Sequence, residues 1–393
     1  MESYTFLLVL AIILLSTKVL GLASGKVKMP QVVGALLAGL ILGPSVLNLV
    51  TEDSVITVLS EIGVIMLMFS AGLETDLQEL KKTGVASFVI ALAGVIVPLL
   101  GGMALYLVWF NGEGDAQHVL KAVFVGVILT ATSVSITVET LREMGKLKGK
   151  VGVAILGAAV IDDILGIVAL TIVSSFTDPS VKISAVLLKI VLFFVFIAVV
   201  GFFAYKYFQH LSRVFTERMH RRVAIYGLAF CFILSYCAET FFGVADITGA
   251  YFAGLLICNL SNVRDYISRK IDICAYMLFS PVFFASVGLK TDLSGLTANL
   301  LIFAVLLLVI AIVSKIIGCG LGAKLFKFTN HEALSVGIGM VSRGEVALIV
   351  AQKGAAVGLV SEELFGPVIL VVIVTTLITP VLLKLVMGDK QQA

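Results

Sequence analysis

Two adjacent carboxylates, Asp162 and Asp163, stand in the middle of Gly157-Ala158-Ala159-Val160-Ile161-Asp162-Asp163-Ile164-Leu165-Gly166. The surrounding apolar run reads, from about Val151 to Ser175, as one hydrophobic helix. An acid at the centre of a bilayer costs about 2.5–3.5 kcal/mol on insertion scales, so two in succession do not persist on a lipid-facing surface. They must face protein or a water-filled cavity, where they need a cation, a proton or a basic partner. In a low-dielectric cleft two neighbouring carboxylates cannot both stay charged at low cost. A polar knot that only fixes helix packing is the plain alternative; an ion- or proton-carrying site is the better reading.

Other residues of suitable chemistry lie in comparable settings. Thr130-Ala131-Thr132-Ser133-Val134-Ser135-Ile136-Thr137 places five hydroxyl residues within eight, all able to divert backbone hydrogen bonds. Val341-Ser342-Arg343-Gly344-Glu345 puts a glycine between opposite charges, again inside an apolar run. Both stretches are candidates for helices that break inside the membrane, where freed carbonyls and amides can line a cavity and coordinate an ion. Serine and threonine are also ordinary interhelical hydrogen-bonders in membranes, which leaves the first stretch ambiguous when taken alone. Lys315 sits deep in a further apolar run, whereas Lys18 and Lys189 lie near enough to span ends to snorkel.

The elements that hold these residues are membrane helices. The 393-residue chain is 60% hydrophobic and 13% charged, with a mean hydropathy of +1.12. Uninterrupted apolar runs recur from end to end, which identifies an all-α polytopic membrane protein. We count thirteen spans, at about 4–22, 30–50, 55–73, 84–110, 119–140, 151–176, 183–206, 222–242, 246–260, 271–289, 296–323, 332–356 and 363–388. The first lacks a basic leader and a small-residue cleavage site and reads as a retained span. Most of the 28 lysines and arginines fall in alternate loops, such as Arg142–Lys150 and Lys206–Arg222. The positive-inside rule then puts the N-terminus outside and the C-terminus in the cytoplasm of a cell-membrane protein. The five cysteines lie in or beside apolar runs without CxxC spacing, as packing residues do.

The two halves resemble each other. Val33-Gly34-Ala35-Leu36-Leu37-Ala38-Gly39-Leu40 matches Thr248-Gly249-Ala250-Tyr251-Phe252-Ala253-Gly254-Leu255, and Gly72-Leu73-Glu74-Thr75-Asp76-Leu77 matches Gly288-Leu289-Lys290-Thr291-Asp292-Leu293. Seven spans separate the copies of the second motif, so they face opposite sides of the membrane. That is the signature of inverted-topology repeats, a common architecture of secondary transporters with substrate at the midplane between broken helices. The expected fold therefore has crossed broken helices formed by spans five and twelve.

Several of these stretches together resemble the monovalent cation:proton antiporter-2 family. They are Gly157–Gly166, Thr130–Ser133, Lys315-Ile316-Ile317-Gly318, Arg343-Gly344-Glu345, Val32–Pro44 and Glu61–Glu74, and they cover nearly the whole chain. The resemblance implies a homodimer in which a core domain (helices about 84–176 and 296–388) moves against a dimerisation scaffold (about 1–73 and 222–289), with a linker helix at about 183–206. Within the family, an aspartate pair with a span-eleven lysine resembles the electrogenic sodium/proton branch. Carried over, Asp163 becomes the ion ligand and proton carrier, and Asp162 the partner of Lys315, both acids counting among the ion- and proton-binding residues for Na⁺. Thr132 and Ser133 add oxygen ligands, and Arg343 and Glu345 support the crossover. The potassium-efflux relatives carry a cytoplasmic nucleotide-binding domain, for which the few residues after the last span leave no room.

The expected activity is exchange of a monovalent cation, Na⁺ or Li⁺, for protons, with no cofactor, no enzymatic chemistry and no nucleic-acid partner. Cation and proton compete for one set of oxygens, which couples their fluxes. K⁺/H⁺ exchange, a germination- or efflux-type relative, and a non-transporting sensor are the alternatives. An intramembrane aspartyl protease needs its two acids on different helices, and Asp162 and Asp163 are neighbours on one.

Overall fold

The structure is a computed structural model that describes residues 4–26, 29–110, 116–176, 182–213, 220–290, 297–356 and 358–388. Long apolar runs satisfy their backbone polar groups only as helices, and sixteen form among the described residues. They are α1 (Thr5–Lys26), α2 (Gln31–Leu42), α3 (Ser54–Glu74), α4 (Leu77–Trp109), α5 (Ala116–Thr130), α6 (Val134–Glu143), α7 (Lys150–Ser175) and α8 (Ile183–Arg213). Then follow α9 (His220–Cys237), α10 (Asp246–Ile257), α11 (Ser261–Cys274), α12 (Ser280–Leu289), α13 (Ala298–Leu325), α14 (Asn330–Gly339), α15 (Glu345–Ala356) and α16 (Phe365–Met387). Among the described residues ten stretches are long and apolar enough to cross a membrane, and Gln31–Leu42 and Asp246–Ile257 are shorter apolar helices.

Local chemistry sets the helix ends. Asp53 and Asp76 accept hydrogen bonds from the first free amides of α3 and α4, and Thr329 with Glu332 closes a reciprocal capping box on α14. This explains part of the first Gly-Leu-x-Thr-Asp-Leu motif, whose aspartate starts the next helix. In the second copy, Thr291, Asp292 and Leu293 lie outside the described residues.

Four spans differ from their expected limits by seven residues or more: α4 starts earlier, at Leu77, α8 runs on to Arg213, and the second and tenth differ for local reasons. The second ends at Leu42, not about residue 50, because Gly43-Pro44 does not continue a helix. The chain turns back there, with the amides of Leu49 and Val50 on the Leu42 carbonyl. The tenth starts well before residue 271: α11 is polar on one side but buries Val263, Ile267 and Ile271 on the other. A π-helical turn, Ala275–Phe279, then joins it to α12.

The helices pack as two groups. The first is α1, α2, α3, α9, α10, α11 and α12; the second gathers α5, α6, α7, α14, α15 and α16 around α4 and α13. The groups meet chiefly where α6 lies on α2 and α3 and where α16 lies on α2, while α8 touches α7 on one side and α10 and α11 on the other. Within the first group the matched motifs make matched contacts. A Cβ on Gly34 would strike the Leu20 backbone of α1, and one on Gly249 would strike the Leu234 backbone of α9. Likewise Gly39 lies on the Ala285 backbone of α12, and Gly254 on the Phe69 backbone of α3. Helix backbones approach this closely only where a glycine removes the side chain.

Candidate functional site

Both expected helix interruptions are present, at the centre of the second group. The fifth span is helical to Thr130, unwinds at Ala131-Thr132-Ser133 and resumes as α6; the twelfth is helical to Gly339, unwinds from Met340 to Gly344 and resumes as α15. The unwound segments touch. The Ser133 amide donates to the Ser342 carbonyl at 2.7 Å, and a Cβ on Gly344 would stand 2.8 Å from Ser133 Oγ, so a bare backbone is what the approach requires. Ser135 and Thr137, read as part of the break, belong to α6; Thr137 Oγ1 instead donates at 2.7 Å to the Gly339 carbonyl where α14 ends.

Freed carbonyls in a dry interior need donors, and Arg343 supplies them. Its side chain is fully buried. Nη2 donates to the Leu129 carbonyl at 2.8 Å and to the Ala311 carbonyl at 3.0 Å, and Nη1 donates to the Val341 carbonyl at 2.8 Å. One guanidinium thereby ties the end of α5, the middle of α13 and the second break together. Thr376 of α16 donates to the Arg343 carbonyl. Glu345 opens α15, and its side chain lies outside the described residues.

The carboxylates stand beside this crossing. Lys315 Nζ, fully buried on α13, is 3.0 Å from Asp162 Oδ1 and 3.3 Å from Oδ2. Thr132 Oγ1 faces the same carboxylate yet closes no hydrogen bond of ordinary geometry with the described residues. Asp163, one residue along α7, is turned about 100° from Asp162 and keeps 7% of its surface exposed, against 1% for Asp162. The structure thus gathers Asp162, Lys315 and Thr132, with Ser133 and Arg343 at the adjoining crossing. The arrangement offers hard oxygen ligands and a cation already seated on one of them, which is the chemistry of a site for small cations and protons.

Two residues here, Gly94 and Thr376, had no part in the sequence reading, and Thr137 has a different part from the one expected. Gly94 lets α4 close over the ion pair: a Cβ there would lie 3.6 Å from Lys315 Nζ and 3.8 Å from Asp162 Oδ1. Thr137 and Thr376 satisfy freed carbonyls across the crossing. Only Thr137, inside the hydroxyl cluster, carried a local signal.

A cavity of about 690 Å³ lies between α3, α10 and α12 on one side and α15 and α16 on the other. Glu52, Glu61, Glu239, Asp246 and Lys290 are among its walls, which stop short of Asp162 and Asp163.

The profile of the family described as "Sodium/hydrogen exchanger, transmembrane" matches residues 9–387, nearly the whole chain. The chain belongs to that family. This exchanger-family chain is 41% identical over 393 residues to the Na(+)/H(+)-K(+) antiporter GerN of Bacillus cereus, covering 99% of the chain and 98% of the relative. It is 37% identical over 385 residues to the Na(+)/H(+) antiporter of Enterococcus hirae, covering 96% and 97%. Its fold is shared with the sodium proton antiporter MjNhaP1 of Methanocaldococcus jannaschii, with a TM-score of 0.76 over 100% of this chain and 99% of that one, at 19% identity. The motif resemblance to a monovalent cation:proton antiporter family is borne out by these matches.

Proposed function

We propose that this exchanger carries Na⁺ in one direction and protons in the other, through a single site that opens alternately to the two faces of the cell membrane. The observation that carries the reading is the buried Lys315–Asp162 pair set against the unwound segment bearing Thr132. Asp163, more accessible than Asp162, is the shared ligand of cation and proton; Thr132 and Ser133 contribute oxygens, and Asp162 is held ionised by Lys315. Arg343, with Glu345, supports the crossing so that the ligands stay in register. When a cation enters and displaces Lys315 from Asp162, the released ammonium sheds its proton, making exchange electrogenic.

The same proposal extends to architecture. Thirteen spans, with α5–α6 and α14–α15 each counted as one broken span and α11–α12 as one span through its π-helical turn, form inverted-topology repeats; the matched contacts of Gly34 with Gly249 and of Gly39 with Gly254 support this. The two helix groups correspond to a moving core and a dimerisation scaffold, joined by α8, and the few interfaces between them support that division. Two chains associate through the scaffold, with the N-terminus outside and the C-terminus cytoplasmic. K⁺ is the second candidate cation, because the printed name of the Bacillus cereus relative includes K⁺ beside Na⁺.

Purified protein in liposomes with a preset pH gradient tests the reading. Addition of Na⁺ or Li⁺ dissipates the gradient, and Asp163→Asn reduces the rate at least about a hundredfold, the loss expected when the only exchangeable carboxylate of the cycle is neutralised. Full exchange by that variant would refute the assignment of Asp163, and wild-type protein inert to every alkali cation would refute transport itself.

A further inference from the structure

The half-helix α6 leaves the ion site at Ser133 and ends, ten residues later, in a second buried polar cluster. Glu139 is 4% exposed and accepts a 2.7 Å hydrogen bond from the Tyr276 hydroxyl. That hydroxyl in turn accepts one, also 2.7 Å, from Arg142 Nη1. Arg142 Nε lies 3.2 Å from Glu74 Oε1. The next side chain, Glu143, accepts the amides of Gln31 at 2.7 Å and Val32 at 3.2 Å, where α2 begins with free N–H groups. Three consecutive-face residues of α6 therefore grip three elements of the first helix group: the end of α3, the π-helical turn before α12 and the start of α2.

The placement distinguishes this cluster from ordinary packing. It lies at the main interface between the two helix groups. Across the same boundary, where α15 and α16 face α3 and α12, the groups are parted by the acidic cavity. Behind the cluster a second cavity, of about 480 Å³, has Glu139, Glu143, Tyr276 and Ser280 among its walls, so α6 has room to shift. The grip is incomplete as well, since Arg142 Nη2 is buried and closes no hydrogen bond with the described residues. An arginine so placed loses less on release than a fully satisfied one would.

We propose that Glu74, Arg142, Tyr276 and Glu139, with Glu143 on the start of α2, form a latch that holds the ion site closed on this face and must break before the site opens there. The proposal rests on the alternating-access reading above. Arg142 and Tyr276 act as positioning residues: they set the balance between the two access states through α6, whose rigid length of about 14 Å connects the latch to Thr132 and Ser133.

Two measurements test it. In a background with the five native cysteines replaced by alanine, Ser280→Cys, at a buried position behind the latch, is labelled with a membrane-impermeant maleimide. Tyr276→Phe, which removes both hydroxyl hydrogen bonds, speeds labelling about tenfold, the factor one charge-assisted hydrogen bond is worth; Arg142→Gln does the same. In proteoliposomes of sorted orientation, the same variants lower the apparent KM for Na⁺ on the latch side and raise it on the cavity side, as a shift between two access states requires. Unchanged labelling overturns the latch whether or not transport is seen. Equal changes of KM on both sides reduce the cluster to a structural contact and overturn it too. Faster labelling in a protein that exchanges no cation leaves the latch standing and overturns the transport reading instead.

Discussion

The Asp162–Lys315 pair and the Glu74–Arg142–Glu139 cluster both set carboxylates against a base between packed helices, yet they differ in water and in geometry. Lys315 and Asp162 are essentially dry, at 0% and 1% side-chain exposure, and the ammonium reaches both oxygens of one carboxylate. Arg142 and Glu74 keep 13% and 22% of their side-chain surface. Arg142 is also shared between two carboxylates and a phenol. A dry pair cannot separate into water at tolerable cost, so its members part only when another cation or a proton takes over. Glu139 is buried, with 5% of its side chain exposed, but the Arg142–Glu74 side of the cluster is partly exposed and trades partners for water more easily. The first arrangement suits chemistry, the second movement.

The contrast is broken most sharply at Lys315. Lys315→Ala leaves Asp162 charged and alone in a dry site, and the loss of stability is about 3–5 kcal/mol, read as a lowered unfolding midpoint in detergent. Lys315→Met combined with Asp162→Leu recovers most of it, because no charge then remains unpaired. A second cut removes the space over the pair. Gly94→Ala brings a methyl to within 2.5 Å of Cys319 Sγ, and the overpacking costs about 1–3 kcal/mol. Adding Cys319→Ala frees the sulfur's volume and restores the melting temperature; failure to restore it would show that α4 is held off by something other than that thiol. The smallest effect belongs to the partly exposed edge of the second cluster. Glu74→Gln changes stability by no more than about 1 kcal/mol, as part-exposed ion pairs do, and its mark appears in the sidedness of Na⁺ affinity. A large stability loss there would erase the distinction between the two clusters.

What was legible in the chain follows from the solvent. A bilayer forces about twenty apolar residues per crossing, so spans, deep charges and the two breaks were readable from residue types alone. Asp162, Asp163 and Lys315 each stood out as deep charges, but which aspartate meets the lysine came from the family resemblance, because residue types alone do not separate two adjacent acids. The latch had no such signature. Its parts lie at residues 74, 139–143 and 276, and Arg142 reads as one more basic residue at a loop. The one available hint was Glu139, an acid in the apolar stretch Gln117–Glu143. Gly94 was equally silent, since one glycine in a glycine-rich membrane chain does not say which helix it admits. Where α2 stops was legible in Gly43-Pro44, but hydropathy alone runs past it.

The bond from the Ser133 amide to the Ser342 carbonyl also bears on how ions travel. It staples two unwound strands that would otherwise be natural hinges, and Arg343 clamps the same junction from the side. A pore opening at this junction would have to break that bond and the carbonyl contacts of Arg343 together. An intact junction of this kind fits the moving core proposed above, in which the ion is carried inside a cassette that is displaced whole.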